Sequence, residues 1–158
     1  MPTMDERKMM IQKIKSLPGI LDATVEGLSD AQLDTPYRDG GWTVRQVVHH
    51  LCDSHMNAFL RFKWMLNEEH PKIKTYDQDT WATSPEYKLS VVEALHLLRG
   101  LHERWATLLD SLDEQSWART ADHPERGVVT MDWMLQIYSG HGEKHCGQIM
   151  GLRDKMDW

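Results

Sequence analysis

Two histidines near the C-terminal end of the chain, His141 and His145, have the spacing of a metal-binding pair. Residues four apart lie on the same face of a helix, so their two imidazoles can reach one ion. Both positions fall on or at the edge of the apolar stripe that contains Leu135 and Ile149, so both rings should face inward. Buried imidazoles need partners for their nitrogens, and one metal ion would satisfy both rings. Two core histidines bonded to backbone or water explain the pair equally well, so a third ligand has to decide.

Glu143 argues against a peptidase of the zincin type. In the zincin motif His-Glu-x-x-His, the glutamate directly follows the first histidine and acts as general base. Here the glutamate follows His141 by two residues and turns outward. The spacing therefore disfavours a thermolysin-like peptidase.

Three further histidines, His49, His50 and His55, lie in a second periodic segment. The angular count of about 100° per residue puts His55 at the centre of the apolar stripe, His49 on the far side and His50 at one flank. Polar side chains continue the flank of His50 at helical intervals: Ser54, Asn57 and Arg61. This column could line a cavity, or it could be solvated surface. Spacing alone also leaves open whether His50 or His55 completes the metal site.

Four long segments have helical periodicity and would position these residues. They cover about residues 4–28, 43–70, 84–112 and 130–155. A kink is possible at Pro18-Gly19 in the first, and Ser90 offers a second possible start for the third. Thr43 and Gln46 have the spacing of a capping box at the start of the second. No segment alternates with period two for long. The sequence therefore predicts an all-α four-helix bundle with long connections, as a single domain over residues 1–158, and requires no sheet.

Composition excludes several classes of function. The 158 residues include 24 acidic and 18 basic side chains, for a formal net charge of −6, so we expect no nucleic-acid partner. We find no apolar signal core at the N-terminus and no apolar run long enough to cross a bilayer, so we expect a cytoplasmic protein with no membrane partner. Cys52 and Cys146 are too few for a disulfide framework and should be ordinary free thiols.

Several segments resemble one known family. Residues 41–63, GWTVRQVVHHLCDSHMNAFLRFK, resemble the second helix of the DinB/YfiT-like metal-dependent hydrolases. Residues 141–149, HGEKHCGQI, resemble the closing His-x-x-x-His-x-Gly-Gln element of that family. Residues 35–38, TPYR, and 69–77, EHPKIKTYD, are similar to the YfiT branch in particular. The similarity spans nearly the whole chain.

The resemblance implies a DinB/YfiT-like four-helix bundle, often a homodimer, in which three histidines hold one divalent zinc or nickel ion. The family's first ligand lies eight residues after its tryptophan, which is His50 here, and its pair maps onto His141 and His145. His55 then becomes a packing residue or a partner of the ligands.

Three neutral imidazoles leave a coordination position open, which is typical of catalytic zinc. Water at such an ion becomes acidic enough to supply hydroxide near neutral pH, which favours hydrolysis of a small-molecule substrate. The same position could hold a low-molecular-weight thiol, so the alternative is a thiol S-transferase that passes a bacillithiol-type thiol to an electrophile, as the family implies for some members. A further alternative is a non-catalytic metal- or ligand-binding stress protein.

No general base is evident, because Asp53 and Glu143 should both point away from the metal. Four other side chains are candidates for the pocket: Asn57, Arg61, Tyr138 and Gln148. Tyr138 lies one turn before His141 and could donate a hydrogen bond near the ion. Arg61 could neutralise a carboxylate of the substrate or thiol, or form a surface salt bridge.

Four glycines in the last segment carry a further prediction: Gly140, Gly142, Gly147 and Gly151. Each should cost roughly 0.5–1 kcal/mol relative to alanine inside a helix. We therefore expect them to allow close approach between the fourth helix and the second.

Overall fold

A computed structural model describes residues 1–158 and consists mainly of four long helices. These are α1 (Met4–Val25), α3 (Val44–Asn67), α5 (Val91–Asp110) and α7 (Met131–Met156). Short helices α2 (Asp30–Leu33), α4 (Gln78–Trp81) and α6 (Glu114–Trp117) lie in the connections, with a 3₁₀ turn at Pro85–Lys88. The predicted all-α bundle is confirmed. None of the helices has both the length and the apolar character that a membrane span requires.

Local capping explains where the helices begin. The Thr43 hydroxyl accepts a hydrogen bond from the Gln46 amide at 3.1 Å, and the Gln46 side chain accepts one from the Thr43 amide at 2.9 Å. This is the predicted capping box, and it starts α3 at Val44. Thr130 caps α7 in a related way, through a bond from the Trp133 amide at 3.1 Å. Both helices that carry the candidate ligands therefore have a fixed start.

The apolar interior forms two clusters stacked along the bundle. One contains the later part of α3 and the earlier part of α7, with Phe62, Trp105 and Leu135 at its centre. The other contains the earlier part of α3 and the later part of α7, with Leu51 and Ile149. Three buried or partly buried histidines fall between the clusters on their helices: His55, His102 and His141. The bundle therefore has a polar layer between two apolar ones.

The connection after α6 contains a hairpin that the sequence reading did not predict. Strands β1 (Thr120–His123) and β2 (Gly127–Thr130) pair antiparallel, with Ala121 opposite Val129. Each strand has only four residues, too few for a recognisable alternation. The connection after α3 docks on it, because the Ile73 amide donates to the Asp122 carbonyl at 2.8 Å. The two long connections thus bind each other.

Helix α1 continues through Pro18 without a break. The glycines of α7 were expected to allow close approach to α3. Only one of the four, Gly142, lies at a close approach, and the helix that it approaches is α1. A Cβ on Gly142 would lie 2.1 Å from the Leu17 side chain, so α7 closely approaches α1 rather than α3. The other three glycines of α7 face open space.

Candidate metal centre

Three histidines from two helices converge near the middle of the bundle. His50 extends from α3, and His141 and His145 extend from successive turns of α7. Each offers one ring nitrogen, and the three nitrogens lie within 4.8 Å of one another. The Nε2 atoms of His141 and His145 are 3.2 Å apart. The structure thus brings together the set that the resemblance implied.

Neighbouring apolar side chains hold these three histidine rings in position. Val47 and Leu51 are fully buried on either side of His50 and hold α3 against the core. On α7, Ile149 is fully buried one turn after His145. The Trp42 ring, just before α3, covers His50 with ring centroids 4.6 Å apart. The apolar faces of α3 and α7 therefore determine the geometry of the cluster.

Burial keeps these imidazoles neutral. Removal from water lowers the pKa of His50 to about 3 and that of His141 to about 3, and the other nearby rings add to the shift of His141. Burial also lowers the pKa of His145, although the hydrogen bond that its Nδ1–H donates to Oε1 of Gln148 raises it. A neutral imidazole has a free lone pair, which is the form that a metal binds.

Two of the three rings have partners at their Nδ1 atoms. Nδ1 of His145 lies 2.8 Å from Oε1 of Gln148, and Nδ1 of His141 lies 3.0 Å from Nε2 of His55. Nδ1 of His50 is buried and has no hydrogen-bond partner. An unpartnered buried nitrogen is costly, so the cluster is incomplete in the protein alone.

A cavity of about 440 Å³ gives access to the cluster. The three histidines form one part of its wall, and the rest is mostly polar: Tyr37, Arg38, Trp42, Gln78, Asp79, Lys144 and Gln148, with Gly40 and Gly41. Neither Arg38 nor Lys144 forms a salt bridge. Asp79 belongs to α4, so the connection after α3 supplies part of the wall.

The four candidate pocket residues lie in different surroundings. Gln148 contacts the cluster directly through His145. The Tyr138 hydroxyl instead accepts a hydrogen bond from Arg61 at 2.8 Å, and Arg61 also donates to the Lys74 carbonyl. The Asn57 amide donates to the Asp53 carbonyl of its own helix at 2.8 Å. Of the four, only Gln148 lines the cavity.

The structure also tests what the sequence predicted for Arg61, His49 and the two cysteines. Arg61 is buried without an acidic partner, so it forms no surface salt bridge. His49 is also buried, although its angle put it on the far side of the helix, because Leu89 and Tyr87 cover that side. Cys52 and Cys146 are free, as expected, and both are buried.

Both carboxylates that should point away from the metal have partners elsewhere. The Tyr87 hydroxyl donates to Asp53 at 2.6 Å, and Lys13 pairs with Glu143 at 2.9 Å. Sequence reasoning missed the role of His102, which bonds to His55 at 2.8 Å. Its place on the apolar face of α5 was the available signal.

The residues present fit a divalent ion of the zinc or nickel type. Imidazole nitrogens are ligands that both metals accept. Two nitrogens that are each 2.0–2.1 Å from a tetrahedral ion lie about 3.3 Å apart, close to the 3.2 Å between the Nε2 atoms of His141 and His145. The group of possible ligands contains only the three histidines, so the protein would leave part of the coordination sphere free.

Curated relatives in bacilli match most of the chain. A protein of Bacillus cereus (strain 03BB102), named "Putative metal-dependent hydrolase", is 46% identical over 148 residues, which cover 94% of this chain and 86% of the relative. A protein of the same name from Bacillus anthracis (strain CDC 684) is 45% identical over the same coverage.

Two solved structures are also similar to this chain. YfiT from Bacillus subtilis, described as "a probable metal-dependent hydrolase with an unusual four-helix bundle topology", matches with a TM-score of 0.97 and 42% identity over 100% of this chain and 91% of its own. The four-helix bundle protein TT2238 shares the fold, with a TM-score of 0.63 and 19% identity over 91% of this chain and 98% of its own. The model of the DinB superfamily matches residues 14–149. On this evidence the chain belongs to the DinB superfamily.

Proposed function

We propose that the protein is a hydrolase that uses one divalent ion, zinc or nickel, bound by His50, His141 and His145. The observation that carries this proposal is the convergence of three neutral imidazoles within 4.8 Å at the wall of an open cavity, with no fourth protein ligand. Three ligands with a free position are typical of catalytic zinc, whereas structural zinc has four. The names of the relatives support the same conclusion.

The chain's own residues bind and orient the reactants. When bound, the ion would polarise a substrate carbonyl and lower the pKa of a water toward about 7. Gln148 holds the His145 ring in place through its Nδ1 atom. The cations of Arg38 and Lys144, which form no salt bridge, would attract polar or negatively charged groups of a small-molecule substrate.

The proposal also covers the domain organisation, the oligomeric state and the location of the protein. Residues 1–158 would act as one domain, since the two long connections bond to each other and one of them lines the cavity. The homodimer and the cytoplasmic location that the sequence favours belong to the same proposal.

The first test measures metal content and hydrolysis together. Protein purified without a histidine tag should contain close to one zinc or nickel per chain by elemental analysis, and should hydrolyse members of an ester and amide panel. His50→Ala should lose the metal and the turnover together, because two histidines bind an ion far more weakly than three. His96→Ala, which changes an exposed histidine, should keep both. Full metal content in His50→Ala would remove His50 from the site.

One observation favours a second candidate, a thiol S-transferase. Asp79 is the one carboxylate in the cavity wall, and no carboxylate is hydrogen-bonded to the three histidines, so none is held at the cluster as a general base. A thiol, with a pKa near 8.5, ionises more readily than water and has less need of such a base. A low-molecular-weight thiol would then be a co-substrate.

A second assay separates the candidates. The metal-loaded protein is given an electrophile with and without a bacillithiol-type thiol, beside the ester and amide panel. Turnover that never needs thiol contradicts transfer, and turnover that always needs it contradicts hydrolysis. Bound metal without turnover of either kind would support a non-catalytic binding protein.

A further inference from the structure

Three histidines from three helices form a continuous hydrogen-bonded chain that ends at the metal cluster. Nδ1 of His141 lies 3.0 Å from Nε2 of His55, and Nδ1 of His55 lies 2.8 Å from Nε2 of His102. Nδ1 of His102 lies 2.6 Å from the carbonyl oxygen of Ile14 in α1. His55 and His102 are both fully buried, so water cannot replace any of these bonds. We call these three side chains the histidine chain.

The carbonyl at the far end of the histidine chain is available because of Pro18. In a regular helix the amide of residue 18 would donate to the carbonyl of Ile14, but proline has no N–H. A buried carbonyl without a donor is unfavourable. The ring of His102 supplies the donor from α5. The proline therefore creates the acceptor to which the histidine chain is anchored.

This anchor gives the histidine chain a direction. A carbonyl only accepts, so Nδ1 of His102 must carry hydrogen, and its Nε2, in the neutral ring, must accept. Nδ1 of His55 must then donate to that atom, which leaves Nε2 of His55 as an acceptor. Nδ1 of His141 must donate to it in turn. Each ring's tautomer follows from the one before.

We propose that His55 and His102 are positioning residues that hold His141 in the Nδ1–H tautomer, so that the lone pair of its Nε2 faces the metal. This inference deepens the proposed function and depends on its metal site. The Nε2 atom so exposed lies 3.2 Å from Nε2 of His145, whose own Nδ1 faces Oε1 of Gln148. Two lone pairs at that distance repel each other, and a cation between them removes the repulsion.

The tautomers can be measured without any metal. Protein labelled with ¹⁵N-histidine and stripped by a chelator is studied at neutral pH by two-bond ¹H–¹⁵N correlation spectra, which distinguish Nδ1–H from Nε2–H rings. We expect His55, His102 and His141 all to be Nδ1–H, whereas neutral imidazole in water prefers Nε2–H. An Nε2–H signal for His141 in the unaltered protein would overturn the proposal, whatever reaction the enzyme catalyses.

Variants then test the consequence for binding. His55→Phe removes both bonds of the central ring and should raise the zinc dissociation constant about 10- to 100-fold, the usual effect of losing a ligand's partner. His55→Gln offers one amide donor and one carbonyl acceptor in place of the ring nitrogens, and should restore most of the affinity. His102→Phe should shift His141 toward a mixture of tautomers in the same spectra.

A matched control is His49→Phe, which removes a buried histidine that bonds to a backbone carbonyl outside the histidine chain. It should keep the zinc affinity and the Nδ1–H signal of His141. Equal zinc affinity in His55→Phe and His49→Phe would overturn the positioning role. If His55→Phe does not fold, the spectra of the unaltered protein and of His102→Phe decide.

Discussion

Two groups of buried polar side chains lie inside the bundle, and they differ in whether their interactions are complete. Near the start of α1, Arg7 donates to both carboxylate oxygens of Asp132, at 2.8 and 3.0 Å, and to Glu114 at 2.7 Å. Its guanidinium also lies 5.0 Å from the centre of the Trp117 ring. In the metal cluster no ring meets an opposite charge, and Nδ1 of His50 has no partner.

This difference distinguishes an interaction that stabilises the fold from a site that can bind a ligand. In the Arg7 group the buried guanidinium is paired with a buried carboxylate of the same chain, so it needs no ligand from solution. The histidine cluster has neutral rings, an unpartnered nitrogen and an open cavity. A ligand that binds there can therefore supply partners that the chain does not. Changes to the Arg7 group should therefore alter stability, and changes to the cluster should alter metal binding and its dependence on pH.

The largest effect on stability should come from Asp132→Ala. This change leaves the buried Arg7 without its main partner, and the free energy of unfolding should fall by about 3–5 kcal/mol. Denaturant unfolding of the metal-free protein measures the loss. Asp22→Ala, which breaks the half-exposed pair with Arg99, should cost far less. A zinc dissociation constant that changes in a still-folded Asp132→Ala would contradict the separation of the two groups.

Acid should destabilise the metal-free protein through the cluster. His50 and His141 each have a pKa of about 3 in the folded protein, against about 6.5 when unfolded. Between these values the unfolded chain binds more protons, so stability is complete above pH 6.5 and falls as the pH is lowered toward 3. From pH 6.5 to 5.5 the loss should be about 1 kcal/mol for each ring.

Unfolding in urea at both pH values checks this dependence. His50→Gln removes one titrating ring and should reduce the dependence by about half of the contribution from these two rings. The same slope in His50→Gln and the unaltered protein would contradict the assignment.

The smallest effect should come from Glu114→Ala in the Arg7 group. The Glu114 side chain is 68% exposed, so its ion pair is largely screened by water. Its loss should lower the free energy of unfolding by less than about 1 kcal/mol. A loss as large as that of Asp132→Ala, in the same denaturant assay, would show that burial is not what distinguishes the two partners of Arg7.

The sequence predicted the parts of the fold that depend on local chemistry. The capping box at Thr43 and the start of the last helix after Thr130 follow from short-range hydrogen bonds. The spacing of His141 and His145 likewise placed their rings on one face of a helix. The four-helix class was confirmed, and the assignment of the three histidines as ligands stays a prediction.

Features that depend on distant segments could not be predicted. Periodicity gives the angle of His49 around its helix, but not that Leu89 covers that side. It also gave no reason to connect Pro18 with His102, because the contact joins α1 to α5. The β-hairpin was missed because its strands are too short to form a pattern.

Pro18 also has a consequence for how this sequence can evolve. A residue with an amide hydrogen at position 18 would give the Ile14 carbonyl a donor within its own helix, and His102 would lose its selective advantage there. Positions 18, 55 and 102 should therefore covary among homologues. Among distant homologues, a lineage that replaces the proline should also be free to replace both histidines, whereas one that keeps the proline should keep all three.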